Sequence, residues 1–254
     1  MTAGPPPQAP YTAPTTHPPA PAPTSPPRKT VEDNPLYAAP RTKGSCRLPG
    51  VGSGGWKSYK KYMDGVSTCL DRIWLREFAK ADMSFWPSRR VFPRHRVRDR
   101  RCGLMPSKEA DGTYCQRTFT YYVILKYTTG YPQATAYAAE LVAHEYAHHV
   151  QAQSGISDYE YQATEQARTR KAKDLISRRL ELQAECLAGV ALHAIRNDLP
   201  PWQAFRDQYI GTIPRQWALD HGKLATQLRW LEKGYHSGKP GACDTWSPPP
   251  RDVT

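Results

Sequence analysis

The stretch Ala139-Glu140-Leu141-Val142-Ala143-His144-Glu145-Tyr146-Ala147-His148-His149-Val150 holds the pattern His144-Glu145-x-x-His148. In a helix, residues four apart share a face and stand about 6 Å apart along the axis. Two imidazoles placed that way can reach one zinc ion at roughly 2.0–2.1 Å each. Glu145 follows the first of them, where a carboxylate can lean over a metal-activated water without displacing it, the arrangement for metal-assisted hydrolysis. Neither Gly nor Pro occurs between Gln133 and Ser154, and Ala, Leu and Val dominate 139–143, so the pattern predicts a helix. A buried helix with hydrogen-bonded core histidines would carry the same letters. The metal reading therefore needs a third ligand.

A second stretch supplies a candidate. Arg179-Leu180-Glu181-Leu182-Gln183-Ala184-Glu185-Cys186-Leu187-Ala188-Gly189 places Glu181 and Glu185 four apart among Leu182, Ala184, Leu187 and Ala188. Two carboxylates on an apolar helix face are costly to bury unless something cationic meets them. We assign Glu181 as the third zinc ligand and Glu185 as acceptor for the N–H of a ligand imidazole. Surface glutamates facing Arg178 and Arg179 are the competing reading, and the small apolar neighbours argue against it.

Composition sets the surroundings. Of the 25 prolines in 254 residues, 13 fall within residues 1–40, so residues 1–33 read as a disordered Pro/Ala/Thr-rich tail. One domain at 34–246 and a short disordered tail at 247–254 complete the expected organisation. No stretch is apolar enough to span a bilayer. Six cysteines without a C-x-x-C pair point to three disulfides and an oxidising compartment. Cys102 and Cys115 flank a turn-rich loop; Cys46–Cys69 and Cys186–Cys243 follow by proximity, out of 15 possible connectivities. The expected location is extracytoplasmic, secreted or associated with the cell envelope, with any export or anchor segment upstream of Met1. The net charge of +12 is densest at Arg89, Arg90, Arg94, Arg96, Arg98, Arg100 and Arg101. A solvated strand edge is the favoured reading of that run and an anionic cell-envelope surface the second. Nucleic acid is disfavoured, because no aromatics interleave the arginines.

Along the chain, Trp56, Tyr59, Met63, Val66, Leu70, Ile73 and Trp74 predict an amphipathic helix over 56–80. Residues 89–98 read as an edge strand, and Thr113–Lys126 as one or two strands. Gly130-Tyr131-Pro132 should break the chain, and Gly155 should end the metal helix. A charged helix from Tyr159 is expected to run on into Leu175–Ile195 without interruption. Pro200-Pro201 should start a short helix, and Pro214 a longer one through about Lys233.

The two metal-helix stretches resemble the bacterial neutral zinc metallopeptidases, as do Asn34-Pro35-Leu36-Tyr37, Cys102-Gly103, Tyr114-Cys115, Asp220-His221-Gly222 and Cys243-Asp244-Thr245. The resemblance covers roughly 34–246. It implies a gluzincin-like site: His144, His148 and Glu181 on Zn2+, with Glu145 as base. It also implies His221 as donor to a developing oxyanion, with Tyr235 a weaker candidate. The chain departs from the family pattern at Ala147 (usually Gly), Glu185 (usually Asp) and Gln227 (often Arg).

These readings converge on an α+β, mostly helical domain of the zincin type with a small sheet. The expected activity is metalloendopeptidase cleavage of a peptide or protein substrate. A zinc-fold binding or scaffold protein without turnover is the first alternative, and a nucleic-acid-associated protease the second.

Overall fold

The structure, a computed structural model, describes residues 27–52, 55–126 and 133–254. In chain order its elements are α1 (Lys29–Glu32), α2 (Trp56–Lys80), β1 (Arg89–Val91), β2 (Val97–Asp99), β3 (Gly103–Met105), β4 (Gly112–Cys115), β5 (Thr120–Val123), α3 (Ala134–Gln153), α4 (Ile156–Gln166), α5 (Arg170–Ala194), α6 (Trp202–Arg206), α7 (Arg215–His221) and α8 (Leu224–Ser237), with short 3₁₀ turns between. This is a mostly helical α+β arrangement. Residues 1–26 and the break expected at Gly130-Tyr131-Pro132 lie outside the described residues.

The three-stranded sheet has the order β1-β5-β4, with β1 parallel and β4 antiparallel to the central β5; β2 and β3 form a separate antiparallel ribbon. Strand β5 is buried on both faces, which is why Thr120-Tyr121-Tyr122-Val123 shows no polar alternation. Tyr121 and Val123 face the main core, whereas Tyr122 packs with Met105 and Cys115 on the other side. Helix α2 lays its predicted stripe into the core, from Tyr59 through Met63, Val66, Leu70 and Ile73 to Phe78.

Helix α3 has α2 and the sheet on one side and α5 on the other. It is buried nearly all round, and Ala134, Ala136, Ala138, Ala139, Ala143 and Ala147 let its neighbours come close. Helix α5 is clamped in turn between α3 and α8. Glycines meet at the α5–α8 crossing. A Cβ on Gly189 would fall on the Leu231 carbonyl oxygen, and one on Gly234 would fall on that of Cys186. The bridge Cys186–Cys243 ties α5 to the turn after α8, with Cα atoms 5.4 Å apart. Cys46–Cys69 and Cys102–Cys115 are also paired, at Cα separations of 5.9 and 6.0 Å, so all three expected bridges are present.

Four expectations are corrected. Residues 89–98 are not one strand: the chain leaves the sheet after Val91, and β2 pairs with β3 instead. The helix expected to run from Tyr159 to Ile195 is two helices, because the Thr169 side chain accepts a hydrogen bond from Ala172 N and starts α5 afresh. The helix after Pro214 also splits, at Gly222, whose φ of 90° a side chain would strain. Finally, residues 27–33 and 247–254 are not tails but pack on the domain. Val31 is buried against Ile156 and Trp246, and Val253 is buried in the main core, with Thr226 Oγ1 donating to Thr254 O at 2.6 Å.

The arginine run divides by contact. Arg90 binds Asp64 and Asp71, Arg94 lies over Trp56, and Arg96 donates to the carbonyls of Ser107 and Ala110. Arg89, Arg98, Arg100 and Arg101 are exposed.

Since backbone lies where a Gly234 Cβ would go, Gly234→Ala should cost at least the ~1–3 kcal/mol typical of an overpacked core. Denaturant unfolding of the variant against wild type, with both disulfide-intact, measures it.

Candidate metal centre

Helices α3 and α5 bring three atoms together. His144 Nε2 and His148 Nε2 are 3.2 Å apart, and Glu181 Oε2 stands 3.3 Å from the first and 3.4 Å from the second. The remote nitrogens are both engaged. His144 Nδ1 lies 2.6 Å from Glu185 Oε2, and His148 Nδ1 lies 2.9 Å from Gln151 Oε1. The Gln151 amide donates to Leu180 O and Gln183 Oε1, which leaves its oxygen to accept. Both imidazoles therefore carry their hydrogen on Nδ1 and turn an Nε2 lone pair inward.

Three lone pairs then face one another, and Glu181 Oε2 is buried without a hydrogen-bond donor. Such a cluster is repulsive unless a cation sits within it. Ligands at the ~2.0–2.1 Å of zinc coordination, set tetrahedrally, lie roughly 3.3–3.4 Å from one another. The observed triangle has those edges, so the donor set fits zinc. Without a metal, protons take its place. Burial opposes charge on His144, but Glu185 and Glu181 outweigh it and hold its imidazole well above the usual range. Burial likewise opposes the Glu181 charge, and His221 and His148 overcome it, holding Glu181 well below an ordinary glutamate. The other grouping of potential ligands among the described residues, Asp99 with Cys102 and Cys115, has both sulfurs locked in a disulfide and offers no thiolate.

Glu145 sits beside this triangle. Its Oε2 is buried with no hydrogen-bond partner. Burial raises its pKa, while His144 and His148 pull the other way. The carboxylate fits because β4 presents a glycine to it: a Cβ on Gly112 would overlap the Glu145 carboxylate. His221, at the end of α7, comes within 3.6 Å of Glu181 Oε2; Asp220 holds its Nδ1 at 2.7 Å and Trp217 stacks on its ring at 4.1 Å. The cleft around these groups has a volume of ≈ 660 Å³. Gly112 and Tyr114 of β4 line one side, and Leu180, Trp217, Leu224 and Gln227 line the other. Strand β4 pairs only with β5, so among the described residues its cleft-side edge has no strand partner.

The structure thus brings His144, Glu145, His148, Glu181, Glu185 and His221 to one place. Tyr235 is elsewhere, stacked on Trp202 at 4.1 Å and packed against His193. Gln227 lines the cleft but donates to Gly222 O rather than pointing a cation into it. Sequence reasoning missed Gln151 and Glu140, although both sit at helical spacing from His144 and His148 on α3. It also missed Gly112 and Tyr209, which stand at a strand end and in a loop, where no period marks them.

Comparison with known proteins gives a consistent picture. Residues 50–203 match the family described as "Putative neutral zinc metallopeptidase". An uncharacterized protein of Escherichia coli K12, YpfJ, is 25% identical over 208 residues, covering 73% of this chain and 71% of that protein. The uncharacterized protein Rv2575 of Mycobacterium tuberculosis H37Rv is 32% identical over 147 residues, covering 47% of this chain and 46% of that protein. No solved structure matches. With the match spanning both metal-helix motifs, the chain belongs to the neutral zinc metallopeptidase family.

Proposed function

We propose that the protein is a zinc-dependent endopeptidase of the gluzincin type, built on a zincin-like domain. One observation carries this reading: the near-equilateral triangle of His144 Nε2, His148 Nε2 and Glu181 Oε2, with buried Glu145 beside it in an open cleft. A zinc ion held by those three atoms supplies Lewis acidity to a peptide carbonyl and to water.

The chain's own groups do the rest. Glu145 takes a proton from the attacking water and returns it to the leaving amine. In the metal-free protein its burial raises its pKa, against the pull of His144 and His148. His221, with Nδ1 held by Asp220, directs Nε2 towards the same region and, when protonated, can donate to a developing oxyanion. The free edge of β4 offers main-chain hydrogen bonds to an extended substrate, beside Glu145.

The three disulfides support an extracytoplasmic working place. The exposed Arg89, Arg98, Arg100 and Arg101 support attraction to an anionic envelope surface. Retention on vesicles containing phosphatidylglycerol at low ionic strength, lost at about 0.5 M salt, is the expected behaviour. Equal retention on neutral vesicles would remove this part of the proposal.

Metal analysis separates ligand from base. Glu181→Ala should lose stoichiometric zinc, whereas Glu145→Gln should keep zinc and lose about 10²–10⁴-fold in peptide hydrolysis. Wild-type turnover in Glu145→Gln would refute the base assignment. Gly112→Ala should displace the Glu145 side chain and lower turnover at least tenfold with little change in thermal midpoint, because a flexible carboxylate, not backbone, yields to the new methyl. A drop in stability with turnover intact would show that Gly112 serves the fold instead.

A further inference from the structure

Behind His144 the polar contacts continue past Glu185. The Glu185 carboxylate uses Oε2 for His144 Nδ1, and its other oxygen, Oε1, meets the Tyr209 hydroxyl. That hydroxyl also meets Glu140 Oε1, while Gln208 Nε2 donates to Glu140 Oε2 at 3.0 Å. Three separate parts of the chain converge here: α3 with Glu140 and His144, α5 with Glu185, and the segment after α6 with Gln208 and Tyr209.

We propose that Tyr209 and Glu140 form a positioning pair that fixes the Glu185 carboxylate, and through it the His144 ring, so that Nε2 is aimed at the metal. This rests on the zinc-site reading above. A carboxylate held by one hydrogen bond can rotate about its last torsion; one held at both oxygens cannot. Glu185 has His144 at one oxygen and Tyr209 at the other, so its plane is set from both ends.

Hydrogen counting adds a requirement. A phenol has one proton to give, yet Tyr209 lies against two carboxyl groups, so one of these carries a proton and donates to the phenol oxygen. Of the two, Glu185 meets the His144 ring, whereas Glu140 meets only the neutral Gln208 amide and the phenol, so the proton is assigned to Glu140. The surroundings agree. Burial and the neighbouring Glu185 charge push the Glu140 pKa up, and burial with both carboxyl groups keeps the Tyr209 phenol protonated. The order of donors is then Glu140 to Tyr209, Tyr209 to Glu185, and His144 to Glu185.

Zinc affinity, measured by chelator competition on the purified protein, tests this without reference to turnover. Tyr209→Phe should bind zinc 10-fold or more weakly, in line with losses seen when groups behind a metal ligand are removed, while the metal-free protein unfolds at the wild-type temperature. Glu140→Gln keeps a neutral donor towards Tyr209 and should stay within about threefold of wild type. Glu140→Leu removes that donor and should weaken zinc severalfold. Wild-type affinity in folded Tyr209→Phe overturns the proposal; if that variant does not fold, wild-type affinity in Glu140→Leu does so. A loss in Glu140→Gln as large as that in Glu140→Leu overturns the protonated-acid assignment. If wild type itself binds no zinc, the metal-site reading fails, a result distinct from all of these.

Discussion

The structure depends on holding three lone-pair atoms, Nε2 of His144 and of His148 from α3 and Oε2 of Glu181 from α5, against one another in the cleft. Nothing about that cluster is favourable by itself. Carboxylates resist leaving water, and acceptors facing acceptors repel. The neighbouring architecture works to keep α3 and α5 in one register. Alanines along α3 allow close approach, Gly189 and Gly234 seat α5 on α8, and the Cys186–Cys243 bridge anchors α5 beyond the site.

Charge explains how the two imidazoles are supported. His144 is backed by a carboxylate, Glu185, and His148 by a neutral amide, Gln151. Glu145, Glu181 and Glu185 already bring three carboxyl groups to this place. A further ionised carboxylate at Glu140, against Glu185, would add like-charge repulsion in a buried place. Glu140 held as a neutral acid avoids it, and Gln151 supports the second histidine without adding charge.

How much of this could be read from the sequence follows from where each contact lies along the chain. His144, Glu145 and His148 share one helix face, so their spacing is enough. Glu181 and Glu185 could be read because carboxylates among small apolar residues require a partner, although the letters do not say which. The helix over 56–80 was legible for the same reason: its apolar set recurs at the helical period. The breaks at Thr169 and Gly222 were not, because helical periodicity continues across each and only a cap or a positive φ ends the helix. Val31 and Val253 were missed because a single apolar residue in a polar stretch has no period at all.

The same distinction explains why the site's outer parts escaped the sequence. Gly112 matters because a turn of β4 meets the side of α3, and Tyr209 because a loop folds back between two helices; both are products of tertiary closure. A motif records only what one element presents. Tyr209 and Glu140 supply none of the three convergent atoms, yet they stand on the path that fixes His144. The helix motif names the two imidazoles, and the loops decide where their rings point.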